Sequence, residues 1–286
     1  MSTPVLFKKE VVAKKNWYAR IKEIMIDAGW QNLSSKPSTD FDVMYSIGES
    51  GNIPMYIQLK EYNTNPSNSI SNASDRHLYV RLPGKYTPGS PGQAGTFQRS
   101  NEDWYAILMA FDTFDKEKIF NMYYHCNKNR IIIINEFPAG AGERLYGTIQ
   151  FIGISDRSMG ENQLSAPVVA ATHMYSTNGV RVSGHPTFPT GSYVVNVYMD
   201  LPPGRSTWGG TFMSEIGYGG GTAFNEGVRG FIDGIYALRS DEPINNIDTL
   251  IDKDGNRYKV VKADPFYGYG FYGAFKDTTL YAFRTE

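Results

Sequence analysis

Apolar side chains recur with a helical period at one place near the start of the chain. Trp17, Ile21, Ile24 and Ala28 stand at i, i+4, i+7 and i+11, opposite Arg20, Lys22, Glu23 and Asp27. That spacing predicts a short amphipathic helix with one apolar face, and Gly29 is placed to end it. Downstream the period changes to two. Residues 41–45, 54–62 and 77–82 alternate, as in Tyr56, Gln58, Lys60 and Tyr62 against Ile57, Leu59 and Glu61, and predict strands. Residues 120–124 and 130–135 flank the turn sequence Asn127-Lys128-Asn129, and positions 131 to 134 are all isoleucine, which predicts a hairpin whose second strand is buried on both faces. Further strands are expected at 145–155, 193–200 and 280–284. Asp254-Gly255, between 250–253 and 256–262, predicts a hairpin with a type I′ turn. Residues 104–111 are apolar on all sides and fit a buried strand or a short helix alike.

Between these elements lie polar, irregular stretches. Residues 63–75 are dense in Asn and Ser and 83–97 in Pro and Gly, so both read as long exposed loops. Residues 156–190 carry little periodicity, and 202–221 are rich in glycine. The expected class is α+β, mostly antiparallel β arranged as a sandwich or as mixed sheets, with an N-terminal amphipathic helix and long loops. The expected organisation is an α+β domain over 1–155, a loop excursion or linker over 156–190, and a β-rich region over 191–286 that either stands apart or completes the same domain.

Composition sharpens this picture in three places. Of 286 residues, 20 are Tyr, 16 Phe and 4 Trp, a bias that favours strands and also supplies the rings common at protein interfaces. Lys and Arg together number 28 against 29 Asp and Glu, so the chain as a whole is neither polycation nor polyanion, and no specific nucleic acid or anionic membrane surface is expected as partner. The single cysteine, Cys126, forms no intrachain disulfide and no thiolate cluster, which suits a reducing compartment. No apolar run approaches the roughly 20 residues of a membrane helix, and a signal-peptide core is not evident, so a soluble intracellular product is expected.

The search for chemistry is largely negative. His77, His125, His173 and His185 show no metal-ligand spacing. Asp252, Asp254 and Asn256 open like a calcium loop, but the glycine is fourth and Ala263 stands where the twelfth-position Glu belongs. The run from Gly217 to Thr222 lacks a phosphate-loop ending and reads as a flexible or closely packed loop, while Ser50 in Gly48-Glu49-Ser50-Gly51 is out of place for a nucleophile elbow. His125 and Cys126, as strand neighbours, point to opposite faces. Glu215, Glu226 and Asp233, near Trp208 and Tyr218, are the carboxylates a glycosidase reading would use. No catalytic, cofactor-binding or metal-binding residue is assigned, and no cofactor is expected. Charge is uneven: residues 1–40 hold seven basic side chains against four acidic, net +3, and residues 190–286 nine against twelve, net −3. Lys8, Lys9, Lys14 and Lys15 are therefore candidate interface residues, together with Lys85, Tyr86 and Phe97 of the second long loop.

The order of segments adds a further expectation. Ala28-Gly29-Trp30 after the helix, Tyr45-Ser46-Ile47-Gly48-Glu49-Ser50-Gly51, Met55-Tyr56-Ile57-Gln58-Leu59, the hairpin Tyr123-Tyr124-His125-Cys126-Asn127-Lys128-Asn129-Arg130-Ile131 and Gly147-Thr148-Ile149-Gln150-Phe151-Ile152-Gly153 follow one another. Gly234-Ile235-Tyr236-Ala237-Leu238, the stretch from Ile251 to Val260, and Leu280-Tyr281-Ala282-Phe283-Arg284 close the series. This series resembles virion structural proteins of tailed bacteriophages, of the neck and tail type. The resemblance implies a non-enzymatic subunit, such as a tail terminator or head-to-tail connector, that assembles with copies of itself into a ring or sleeve. It also implies contacts with other neck or tail proteins, assembly in the host cytoplasm and residence in the virion. The alternative is a carbohydrate-binding or carbohydrate-cleaving β protein, since exposed Trp and Tyr also stack on sugars.

Overall fold

The computed structural model describes residues 5–34, 41–63, 76–90, 93, 95–98, 105–108, 119–136, 147–155, 167–171, 174–175, 180–182, 211–219, 228–240, 249–252, 254–262 and 280–286. Within these the chain is mostly antiparallel β with one short α-helix. A first sheet has the order β1 (Lys8–Ala13), β9 (Ile119–Cys126), β10 (Arg130–Glu136), β11 (Gly147–Gly153), β12 (Val168–Ala171), β14 (Val180–Val182). A second runs β13 (Met174–Tyr175), β8 (Tyr105–Leu108), β5 (Arg76–Arg81), β4 (Met55–Asn63), β3 (Asp42–Ser46), β2 (Gln31–Asn32). The third is β15 (Thr211–Gly219), β16 (Val228–Ser240), β19 (Leu280–Arg284), β18 (Arg257–Lys262), β17 (Thr249–Ile251). β6 (Lys85–Thr87) and β7 (Thr96–Gln98) form a separate two-stranded hairpin.

The helix α1 (Trp17–Asp27) buries Trp17, Ile21, Ile24 and Met25. Its end is a Schellman motif: Gly29, at φ +93°, donates its N–H to Ile26 O at 2.9 Å and Trp30 donates to Met25 O at 3.0 Å. Trp30 thereby turns back into the same core as Met25. That core joins the helix to Met44, Met55, Ile57, Leu59, Leu78 and Val80 of the second sheet and to Phe120, Met122, Ile131, Ile133 and Ile152 of the first.

The opposite face of the first sheet meets the third. Tyr123 and Phe7 each meet the Phe283 ring edge-on, at 5.0 and 5.1 Å between centroids. Arg130 and Glu136, at the two ends of β10, face Asp233 on β16 and Lys259 on β18. Successive strands of the third sheet thus meet successive positions along β10, the pattern of crossed sheet packing. The first sheet is the middle layer, so every residue of β10 and β11 is buried. The four isoleucines divide evenly, Ile131 and Ile133 into the helix core and Ile132 and Ile134 to the far side. A strand without a polar face is the local signature of that position.

Within 104–111, which fit a strand or a helix alike, Tyr105–Leu108 form the strand β8, paired with β5. Several expectations are corrected. Residues 83–97 are not simply an exposed loop, because β6 pairs with β7 and Tyr86 of β6 is buried. Within 156–190, where periodicity is faint, β12, β13 and β14 each join a sheet; runs of two to four residues are too short to show alternation. Gly217 and Gly219 belong to strand β15, at register shifts against β16, so glycine here marks bulges and not a free loop. The turn between β17 and β18 is longer than type I′. Gly255 takes positive φ, +82°, and Gly255 N–H bonds Asp252 O while Asp252 N–H bonds Asn256 O, both at 3.0 Å. The Asp252 carboxylate causes the difference, accepting the backbone N–H groups of Asp254 and Asn256 at 2.9 Å each. β1 was not foreseen, since Lys8-Lys9-Glu10-Val11-Val12-Ala13 has no clean alternation. The strand expected at 193–200 and the loop 64–75 lie outside the described residues.

Candidate interaction surface

The four N-terminal lysines do not form one patch. Lys8 and Lys9 are exposed on β1, Lys15 is exposed on the single 3₁₀ turn that follows (Lys14–Asn16), and Lys14 is buried at 2% exposure. β1 is the terminal strand of its sheet and pairs with β9 from Lys8↔Tyr124 to Ala13↔Ile119. Its odd-numbered side chains share a face with those of β9. On that face Val11 is 64% exposed and Ile119 57%, and Lys9 Nζ stands 5.7 Å from the centre of the Tyr123 ring. A basic edge with an uncovered apolar corner results.

This edge is held rigidly. Glu10 receives a two-pronged contact from Arg20 of α1, Nε to Oε2 at 2.8 Å and Nη2 to Oε1 at 2.7 Å, and the Tyr124 hydroxyl donates to Oε1 at 2.8 Å. The Arg20 hydrogen bonds hold the Glu10 carboxyl below its ordinary pKa against the opposing effect of burial. Just before β1, Phe7 N–H donates to Arg284 O at 3.0 Å. His125 Nδ1 lies 3.1 Å from Leu6 O, and since a carbonyl only accepts, this nitrogen carries the proton.

The hairpin group sits on a different layer. Lys85 is exposed, but Tyr86 is 2% exposed, and Phe97 is half-buried with its ring between those of Tyr86 at 4.8 Å and Phe41 at 5.5 Å. A Cβ on Gly95 would overlap the Tyr86 ring. Of the seven proposed interface residues, Lys8, Lys9, Lys15 and Lys85 present charge to solvent, while Lys14 and Tyr86 serve the interior.

Two polar clusters that sequence reasoning missed fix the layers to each other. Asp42 accepts Lys22 Nζ, the Tyr18 hydroxyl and Asn32 Nδ2, each at 2.7 Å. Burial raises the Asp42 pKa, but these hydrogen bonds outweigh it and leave the carboxyl below its ordinary value. Elsewhere the loop after β3 clasps the β9–β10 turn: Glu49 Oε1 accepts Lys128 N–H and Asn129 Oδ1 accepts Glu49 N–H, both at 2.9 Å. Ser46 Oγ donates to Lys128 O and Trp30 Nε1 to Asn127 O, both at 2.7 Å. The segments 45–51 and 123–131, far apart in the chain, therefore bind each other. A signal was present in the Ser, Glu and Asn of those loops, but reciprocity across about 80 positions is invisible to local pattern.

The chemical candidates take structural roles. Cys126 packs against the helix core, with its thiol pushed far above the ordinary range by burial, whereas His125 faces the other way toward Leu6. Asp233 is buried 3.4 Å from Arg130. Asp252 holds its own turn, taking Asn256 Nδ2 at 2.7 Å as well as the two backbone donors. Glu226 and Trp208 lie outside the described residues. Among the described residues no group of three His, Cys, Asp or Glu is placed to hold a metal ion, and no helix is long and apolar enough to cross a membrane.

No protein-family model matches the chain, and no curated protein matches it at a significant level.

Proposed function

We propose that the protein is a structural subunit of a tailed-phage virion, working at the neck or tail by assembling into a ring or sleeve with copies of itself and with other neck or tail proteins. The observation that carries this reading is the rigid, exposed edge of β1, where Lys9 shares a face with the uncovered Val11 and Ile119 and Lys8 adds charge on the other side of the strand. Apolar side chains left open on a preorganised strand, rimmed by charge, suit docking between proteins. The segment order that resembles neck and tail proteins supplies the setting. The two tryptophans whose positions are described, Trp17 and Trp30, are both 2% exposed and so offer no platform to a sugar.

Light scattering and negative-stain electron microscopy of the purified protein test this directly. Closed rings or short sleeves are expected, with blank results in a glycan array and a reducing-sugar assay. A monomer at all concentrations that binds or cleaves glycans would replace this reading with the carbohydrate one.

A further inference from the structure

We infer that the open edge of β1 takes up an extended, acidic segment of a partner protein as an added strand. This deepens the assembly reading and rests on it. In an antiparallel pair only alternate residues spend their N–H and C=O groups on the neighbouring strand; the rest point outward. Among the described residues β9 is the only strand beside β1. The outward groups of a six-residue strand are therefore available as a template.

Side chains specify what fits. Lys8 and Lys9 favour carboxylates near the start of β1, while Val11, diagonal to Ile119 on the same face, favours an apolar residue two positions further on. A second copy of β1 would bring two more lysines to the same edge, and lysine is the side chain by which edge strands avoid pairing with their own kind. The charge thus selects an acidic partner over self-pairing. Because Glu10 is clamped by Arg20 and Tyr124, the edge is preformed, and only the incoming segment loses conformational freedom on binding.

The test uses the full chain and three capped, fluorescently labelled seven-residue peptides: Thr-Thr-Val-Thr-Glu-Glu-Thr, which in antiparallel register sets its two Glu opposite Lys9 and Lys8 and its Val opposite Val11, the same sequence with Lys for both Glu, and the Glu peptide with Pro at its centre. The Glu peptide is expected to bind and to slow amide exchange at residues 8–13. The Pro and Lys peptides are expected not to bind. Lys8→Glu with Lys9→Glu should weaken the Glu peptide about tenfold and admit the Lys peptide. Equal binding of all three peptides, no binding, or binding without protection of β1 overturns the inference. So does a change in oligomer size on Val11→Lys without any effect on peptide binding, since a second copy would then occupy the edge. Rings that persist unchanged in the Lys8→Glu, Lys9→Glu, Val11→Lys variant remove the β1 assignment and leave the assembly reading standing. Peptide binding by a protein that never assembles does the reverse.

Discussion

Lys14 and its neighbours show how far burial outweighs charge type. All four N-terminal lysines look alike in the sequence, yet Lys14 is 2% exposed. Lys14→Glu is expected to cost about 3 kcal/mol or more, because an opposite charge is forced into the interior. The combined Lys8→Glu, Lys9→Glu and Lys15→Glu variant should melt within a few degrees of the parent, since exposed charges add little to stability. Thermal melts of the two variants check the contrast. Asp42 makes a second prediction. Its carboxyl titrates below the ordinary value of 3.8 in the folded protein, so its stabilising contribution is complete above that value and fades as pH falls through the folded pKa. Asp42→Asn should therefore lower stability by about 2 kcal/mol at pH 7, and urea unfolding curves of variant and parent should draw together as pH is taken below the ordinary value of 3.8.

At the scale of elements, β10 holds a charge key. Arg130 and Glu136 close its two ends with opposite signs, and the third sheet answers with Asp233 and Lys259 at 3.4 and 3.3 Å. Only one orientation of that sheet satisfies both. Asp233→Ala leaves a buried guanidinium without its carboxylate and is expected to cost about 3–5 kcal/mol. Lys259→Met should cost less, because Glu136 keeps hydrogen bonds from Asn121 at 3.0 Å and Tyr123 at 3.2 Å. Denaturant midpoints of the two variants give the order. This key was not legible beforehand, since nothing local ties Arg130 to Asp233. The elements themselves were legible where burial is one-sided or complete: Trp17, Ile21 and Ile24 announced the helix, and the four isoleucines announced the middle strand. β1 escaped notice because an edge strand meets solvent on more sides than its pattern allows for. Tyr86 escaped because it is a single buried ring within a stretch rich in Pro and Gly. The interface candidates were legible as charges but not as an edge.

For the whole molecule, the third sheet is the cover of the middle layer. β18 and β19 contribute Val261, Tyr281 and Phe283, all at most 2% exposed, and Phe283 meets both Tyr123 and Phe7. A chain ending at residue 249 loses these strands and would bare the far face of β10 and β11. It is expected to be insoluble or to melt without cooperativity, with strong binding of a hydrophobic dye. A soluble fragment with a sharp melt would show that the first two sheets stand alone. The hydrogen bond from Phe7 to Arg284 reaches further still. A ribosome delivers residue 7 some 277 positions before its acceptor, and β1 itself waits for β9. The strand that carries the basic edge therefore waits for 106 to 116 further residues before β9 can pair with it, and far longer for Arg284. Premature association of nascent chains, not slow chemistry, is the hazard this topology creates, and the lysines that mark the edge are well suited to keep those chains apart until the fold closes.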